Sequence, residues 1–136
     1  MTSLPGYSGT PLVRKLGYKD GFVVHLINVP ANYLELVQPV PENVHFSDSA
    51  TQADLVHLFT NETAELERTL PQLLDQIKRD GMIWVSWPKR ASNVLSDISE
   101  DRIRETALPL GLVDVKVCAV DKTWSGLKLV IRKEHR

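Results

Sequence analysis

The sequence predicts an α/β fold, a three-layer sandwich whose mostly parallel sheet ends in a C-terminal antiparallel hairpin. Nearly continuous apolar runs, rich in β-branched and aromatic residues, occupy 22–29, 53–59 and 82–87. Such runs are typical of strands buried on both faces of a parallel sheet. The stretches 112–120 and 126–133 instead alternate apolar with polar residues and are joined by a short polar loop, which indicates a hairpin.

A short helix is expected before the first strand. Thr10 is the predicted N-cap, Pro11 the first helical residue, and Gly17 ends the helix. After the first strand, the stretch 43–46 is a candidate for a short strand. Only a few residues separate it from the strand that begins at 53, fewer than the roughly ten to twelve that a whole crossover needs. We therefore expect six strands, with one α/β unit reduced to a turn.

Two longer crossover helices complete the pattern. In 61–81, leucine and isoleucine recur at three- and four-residue spacing, which favours an amphipathic helix. Pro71 is expected to kink this helix or to split it in two, because proline lacks the N–H that the helix needs. The second helix, within 99–111, begins after Ser99 as N-cap and ends at Gly111.

Size and composition describe one globular domain, 1–136, with 43% hydrophobic residues and a net charge of −1. Because the charge is nearly balanced, we do not expect a nucleic-acid partner. The sequence contains no signal-like start and no apolar run near the roughly 20 residues of a membrane span, so we expect no membrane association and a cytoplasmic location. The single cysteine, Cys118, permits no internal disulfide and is expected to pack within a strand.

Four strings in the sequence are distinctive: GYSGTPLVRKLG near the start, then ELERTLPQL and WVSWPKRAS, and GLVDVKVCAVDKTWSGLKLV near the end. Together they resemble an uncharacterised bacterial family of small proteins of unknown function, over nearly the whole chain. The order of helices and strands also resembles a trimmed S-adenosylmethionine-dependent methyltransferase fold, a Rossmann-like architecture whose last strand is antiparallel. The first resemblance implies no activity, and the second implies S-adenosylmethionine as a candidate cofactor.

The methyltransferase resemblance also implies where a cofactor would lie. In that superfamily the first strand leads into a glycine-rich turn, which lets the cofactor approach the backbone. The corresponding segment here, 27–33, contains no glycine, and Pro30 removes an N–H donor. The acidic residue that holds the ribose at the end of the second strand corresponds to Asp48. The resemblance thus implies a cofactor site that lacks its usual turn.

Ligands of open α/β sheets bind outside the carboxyl ends of the strands, where the strand order reverses. If 22–29 and 53–59 are neighbours, the residues that follow them rim such a crevice, together with the end of 82–87 and the hairpin loop in 121–128. The candidate cofactor-binding residues are Asn28, Asn32, Asn61, Trp87, Lys89 and Trp124, with Thr60, Glu62, Ser86 and Pro88 beside them. Structural roles compete with this hypothesis, since asparagine can cap a helix and tryptophan can pack against the sheet.

Other chemistries have little support in the sequence. The segment 8–11 opens a helix and is a candidate phosphate site, but it lacks the phosphate-loop pattern and helix capping explains it. The sequence contains no GxSxG, HExxH or CxxC, so we expect neither a hydrolytic nucleophile nor a metal site. His25 and His57 lie inside apolar strands and are expected to be core histidines.

Three functional hypotheses remain open. The leading one is a Rossmann-like domain that binds a small molecule or a partner at the carboxyl end of its sheet, without self-sufficient catalysis. An alternative is a minimal S-adenosylmethionine-dependent transferase with an unusual cofactor cradle. A third is a protein-interaction module that forms homo-oligomers through the edge of the 112–133 hairpin, since an unpaired strand edge is a template for pairing. Whether the protein is an enzyme stays undecided at this point.

Overall fold

The computed structural model describes residues 10–136. The strands are β1 (Val23–Ile27), β2 (His45–Ser47), β3 (Leu55–Phe59), β4 (Met82–Pro88), β5 (Leu112–Ala119) and β6 (Trp124–Ile131). The α-helices are α1 (Leu12–Leu16), α2 (Tyr33–Leu36), α3 (Thr63–Gln76) and α4 (Glu100–Ala107). Short 3-10 turns occupy Arg90–Ser92, Leu108–Leu110 and Lys133–His135.

The six strands form one sheet in the order β2-β1-β3-β4-β6-β5. The first four are parallel neighbours, whereas β6 pairs antiparallel with both β4 and β5. The predicted α/β sheet with a C-terminal hairpin is confirmed. The structure adds that the second strand of the hairpin lies inside the sheet, while β5 forms the outer edge. The strand order reverses between β1 and β3, because β2 lies on the far side of β1.

Side chains of the central strands alternate between two apolar cores, one on each face of the sheet. Val56 and Leu58 of β3 belong to the core that α3 and α4 cover. Leu55 and Phe59 of the same strand belong to the core that α1 and α2 cover. Trp84 of β4 ties α1 to the sheet, since its Nε1–H donates to the carbonyl of Leu16, the last residue of α1, at 2.8 Å. Helices on both faces give the predicted three layers.

One local expectation about the helices is wrong, and of the two effects expected at Pro71 the split does not occur. The N-cap of α1 is Pro11 rather than Thr10, because the ψ of 145° at Pro11 is extended and leaves this residue outside the helix. Nor is α3 split at Pro71, since the helix continues from residue 63 to residue 76. Proline here leaves one carbonyl without an intrahelical donor, that of Glu67. Glu67 is exposed, so water can satisfy this carbonyl.

The connection between β2 and β3 contains only turns, as the short spacing predicts. The β2 strand itself spans His45–Ser47 and is thus shifted slightly from the predicted 43–46. The connection between β1 and β2 contains only the single helical turn α2. Within residues 10–136, no helix has the combined length and hydrophobicity that crossing a membrane requires.

Candidate functional site

The carboxyl ends of β1, β3 and β4 lie at one edge of the sheet, which we call the carboxyl edge. Asn28 directly follows β1, and Lys89 directly follows β4. The hairpin loop reaches the same edge, because Trp124, the first residue of β6, pairs with Pro88, the last residue of β4. Asn61 lies in the loop between β3 and α3. The topology therefore brings residues that are distant in sequence to one end of the molecule.

Asn28 forms the turn after β1, at the position where the methyltransferase resemblance implies glycine. Its φ of 56° lies in the left-handed region, which asparagine adopts more readily than most residues. Its Nδ2 donates to both carboxylate oxygens of Glu65 in the first turn of α3, each at 3.3 Å. The side chain thus ties this turn to α3 across the point where the strand order reverses. A left-handed turn forms here without glycine.

A cleft opens at the carboxyl edge between the loop after β3 and the loop 89–99 after β4. Its volume is about 380 Å³, and small-molecule sites span roughly 300–1,000 Å³. The cleft is lined by Asn61, Glu62, Leu95, Ser96 and Asp97. Asn61 joins the two walls, because its Nδ2 donates to the carbonyl of Leu95 at 3.2 Å. Of the predicted candidates, Asn61 and Glu62 line this cleft.

Asp97 caps α3 from the opposite wall of the cleft. Thr63, the first residue of α3, donates its backbone N–H to Asp97 Oδ1 at 2.7 Å and its hydroxyl to the same oxygen at 3.0 Å. These hydrogen bonds, the backbone one foremost, lower the pKa of the Asp97 carboxyl. The carboxylate therefore occupies the end of α3 that favours anions. The capping role considered for Asn61 belongs to Asp97 instead.

A second groove, of about 430 Å³, adjoins the cleft and shares Leu95, Ser96 and Asp97 with it. Lys89 also lines this groove, but its Nζ donates to the carbonyl of Asp121 in the hairpin loop at 2.7 Å. Leu95 is 91% exposed beside both cavities. These loop residues were not predicted as site residues. The signal for them in the sequence is the polar stretch after the 82–87 strand, in which Leu95 is an isolated large apolar residue.

Both candidate tryptophans pack against the sheet. Trp87 is buried in the core under α3 and α4. Trp124 packs with the opposite core, where its ring centroid lies 5.0 Å from that of Phe59. Because the two indoles face opposite sides of the sheet, they do not form one stacking platform. Asn32 is exposed and precedes α2 without a side-chain capping bond.

Several polar candidates lie beneath the carboxyl edge rather than on it. Thr60 and Ser86 are buried, and so is His57, which the structure confirms as a core histidine. His25 is only half-buried, and its Nδ1 bonds a backbone carbonyl of β2 at 2.9 Å.

Asp48 directly follows β2 and is exposed at the carboxyl edge. The structure thus places Asp48 at the end of the second strand, and its contact with a ribose stays a prediction.

Three further expectations concern metals, phosphate and cysteine. Among residues 10–136, no group of three or more His, Cys, Asp or Glu side chains is arranged to hold a metal ion. Ser8 and Gly9 of the candidate phosphate segment lie outside the described residues. Cys118 is half-buried against the core under α1 and α2, and burial raises the pKa of its thiol. This is the packing role predicted for it.

Comparison with solved structures defines the class of the fold. Ribosomal protein L11 methylase from Lactobacillus delbrueckii subsp. bulgaricus is similar with a TM-score of 0.59 and 11% identity, over 89% of this chain and 75% of that one. A SAM-dependent methyltransferase from Aquifex aeolicus is similar with a TM-score of 0.59 and 13% identity, over 88% of each chain. Magnesium protoporphyrin IX methyltransferase from Synechocystis PCC 6803, solved with bound SAM, is similar with a TM-score of 0.56 and 12% identity, over 88% of this chain and 74% of that one. The chain therefore has a methyltransferase-like Rossmann fold.

Residues 31–133 match the family described as "Protein of unknown function (DUF3052)". Because this match covers most of the chain, the chain belongs to that family. The resemblance to a family of unknown function is thus confirmed. No curated protein shows significant similarity to the sequence. Since a shared fold at this low identity does not transfer an activity, function has to be argued from the site itself.

Proposed function

We propose that this chain binds a small neutral or cationic molecule in the cleft at the carboxyl edge, without self-sufficient catalysis. The observation that carries the proposal is the charge of the cleft. Its ionisable lining residues, Glu62 and Asp97, are both acidic. The cations Lys89 and Arg90 line the adjoining groove and not the cleft itself, and Lys89 is engaged with the hairpin loop through its bond to the Asp121 carbonyl. The lining of the cleft therefore presents carboxylate, amide and hydroxyl groups to a ligand, and it presents no cation.

A phosphate group fits this cleft poorly. Helix N-termini usually attract phosphate, but the Asp97 carboxylate already caps α3. Glu62, the exposed residue just before α3, adds a second negative charge. An incoming phosphate would meet both charges at short range, and like charges repel. We therefore expect nucleotides that carry several phosphates to be the weakest ligands.

S-adenosylmethionine is the ligand that the proposal favours. Its sulfonium is cationic, and its adenosine carries no phosphate, so both features suit an acidic cleft. Within this proposal Asn61 offers its amide, Glu62 its carboxylate and Leu95 an apolar contact. The fold supports the choice of ligand, because the similarly folded magnesium protoporphyrin IX methyltransferase was solved with bound SAM. The place is particular to this proposal, since the methyltransferase resemblance implies a cofactor beside the turn 27–33, which does not line the cleft.

The absence of self-sufficient catalysis is supported by where the potential bases and nucleophiles lie. His57 is fully buried and both of its ring nitrogens are hydrogen-bonded within the core. Cys118 packs with the core under α1 and α2, and burial raises the pKa of its thiol. Asp97 in the cleft has a lowered pKa, which makes it a weak base. Among the lining residues of the cleft this leaves the exposed Glu62 carboxylate as the general base available to a methyl acceptor.

Isothermal titration calorimetry with S-adenosylmethionine, S-adenosylhomocysteine, ATP and NAD tests the proposal. We expect S-adenosylmethionine to bind most tightly, S-adenosylhomocysteine more weakly because it lacks the positive sulfur, and ATP and NAD most weakly. Tighter binding of ATP or NAD than of S-adenosylmethionine would refute the charge argument. Conversion of S-adenosylmethionine to S-adenosylhomocysteine during incubation would favour the alternative of a minimal transferase.

A pair of glutamate variants tests whether the cleft is the binding site. Glu62→Gln removes the exposed negative charge and should raise the dissociation constant of S-adenosylmethionine about two- to fivefold, as expected for an exposed charge pair. Glu67→Gln is the matched control, because Glu67 is an exposed residue of α3 outside the lining of the cleft. Equal weakening by both variants would indicate a general charge effect instead of a contact in the cleft.

The outer edge of the sheet favours a second candidate function, self-association. Val115 and Val117 of β5 are 54% and 49% exposed on a strand that has a neighbour on one side only. A β-bulge between Asp114 and Lys116 interrupts this edge, which limits pairing. Light scattering over a range of concentrations decides. A dimer that Val117→Lys abolishes supports self-association, and a monomer at high concentration excludes it.

A further inference from the structure

Four side chains form one hydrogen-bonded chain through the core on the α1/α2 side of the sheet. The hydroxyl oxygens of Tyr18 and Tyr33 lie 2.8 Å apart. The Tyr33 oxygen lies 2.9 Å from Nδ1 of His57, and Nε2 of His57 lies 2.7 Å from Oγ of Ser86. The chain therefore links α2, which follows the β1 turn, to the two central strands β3 and β4.

The number of hydrogens restricts the direction of this chain. Three hydroxyls and a neutral imidazole supply four hydrogens for three bonds, so one hydrogen is left over. If Tyr33 accepted from both of its neighbours, the spare hydrogen would be its own and would be buried, because Tyr33 is 1% exposed. The two remaining arrangements leave the spare hydrogen at an end of the chain. In one direction Ser86 donates to Nε2 of His57, Nδ1–H donates to Tyr33, and Tyr33 donates to Tyr18. The spare hydrogen then belongs to Tyr18. In the opposite direction every donor is reversed, and the spare hydrogen belongs to Ser86.

The two ends of the chain differ in their access to water. Ser86 is 0% exposed, and among the described residues its hydroxyl bonds only His57. Tyr18 is 6% exposed and lines a cavity of about 680 Å³ near the amino ends of β1 and β2. A spare donor on Ser86 would remain fully buried without an acceptor, whereas Tyr18 retains some exposure and borders a cavity. The first direction is therefore the favoured one.

We infer that Ser86 donates to Nε2 of His57, that His57 carries its hydrogen on Nδ1, and that this directed chain positions Tyr33 and the adjoining β1 turn. His57 and Ser86 are thereby positioning residues for the turn 28–32 at the carboxyl edge, which lies outside the lining of the cleft, so this role does not depend on the proposed function. Tyr33 is 1% exposed and contacts the ring of His57 edge-on, with centroids 5.2 Å apart. Burial also lowers the pKa of His57 to about 3, which keeps the ring neutral.

Long-range ¹H–¹⁵N correlation NMR on the ligand-free wild-type protein tests the direction of the chain. In such spectra Nε2 couples to both carbon-bound ring protons, whereas Nδ1 couples to one. We expect the protonated ring nitrogen of His57 to show the single coupling, which identifies Nδ1–H. A protonated Nε2 would overturn the assigned direction, as would a ring that titrates near the ordinary pKa of histidine.

Amide hydrogen exchange tests the positioning role, also without ligand. Tyr33→Phe removes one hydroxyl and keeps the ring, and it should speed exchange in 29–36 about tenfold while α3 is unchanged. Ser86→Ala removes the donor at the far end and should give the same local pattern, even if Tyr33→Phe does not fold. Thr106→Ala is the control, because it removes an exposed hydroxyl outside the chain.

No change in 29–36, or equal acceleration in α3, would overturn the positioning role. Because neither measurement involves a ligand, failure of S-adenosylmethionine to bind would refute only the proposed function and would leave these results decisive.

Discussion

The two faces of the sheet are held by different means. On one face α3 has 14 residues and α4 has 8, and their leucine and isoleucine side chains pack against β3 and β4. On the other face α1 has 5 residues and α2 has 4, and the core holds aromatic rings together with the hydrogen-bonded chain from Tyr18 to Ser86. Where the helical cover is short, directional bonds replace part of the apolar contact. We therefore expect the stability of the protein to depend mainly on side-chain volume at the first face and mainly on pH at the second.

Acidification should give the largest effect, through His57 on the short-helix face. Its pKa is about 3 in the folded protein against 6.5 ordinarily, because of burial. Between these values the unfolded state binds one more proton than the folded state. Stability should therefore fall by about 1.4 kcal/mol per pH unit as the pH drops from 6.5 towards 3, with no contribution from His57 above 6.5. Urea unfolding followed by tryptophan fluorescence between pH 7 and pH 4 measures this slope.

His57→Asn is the matched variant for this prediction, because asparagine is polar but does not titrate. As the pH drops, the free energy of unfolding of this variant should fall less steeply than that of the wild type, by up to about 1.4 kcal/mol per pH unit, whatever its absolute stability. Burial raises the pKa of Tyr18 to about 12, so this partner does not titrate in the same interval. Identical slopes in the two proteins would show that the acid sensitivity comes from carboxylates elsewhere.

Loss of volume should give the next largest effect, on the long-helix face. Leu70 of α3 is fully buried in the core against the sheet. Leu70→Ala should lower the free energy of unfolding by about 2–5 kcal/mol, since it removes apolar contacts and leaves a cavity. The slope of stability with pH between 6.5 and 4 should stay as in the wild type. Urea denaturation at pH 7 and pH 5 measures both quantities.

Arg68→Ala serves as the control for Leu70, because Arg68 is exposed on the same helix. It should change stability by no more than about 0.5 kcal/mol. A loss at Leu70 as small as this would contradict the view that α3 holds its face through close packing.

The sequence predicts the strands that are packed on both faces, but it does not predict which strands pair. The runs at 22–29, 53–59 and 82–87 locate β1, β3 and β4 because both faces of these strands are packed, which leaves long apolar stretches. The place of β6 inside the sheet depends instead on pairing between distant residues, such as Trp124 with Pro88. Periodicity within a segment carries no information about such a partner.

The candidate site is less predictable than the fold for the same reason. Residues that follow strands, such as Asn61 and Lys89, are placed at the carboxyl edge by topology alone. The cap that Asp97 provides for Thr63 joins residues 34 positions apart. The bond between His57 and Ser86 joins residues 29 positions apart. The residues next to Asp97 and Ser86 in the sequence do not indicate these partners. Both contacts can therefore be recognised only in the folded chain.

The smallest predicted effect concerns how α4 begins on the long-helix face. Ser99 caps α4 locally, since its Oγ accepts the N–H of Arg102 at 3.2 Å, whereas α3 depends on the distant Asp97. Ser99→Ala should cost about 1 kcal/mol, and Ser99→Gly only a few tenths. Amide exchange should rise in the first turn of α4 and stay unchanged in 29–36, because this cap lies outside the chain from Tyr18 to Ser86. Faster exchange on both faces after Ser99→Ala would mean that the two faces open together, and the distinction between them would then not hold.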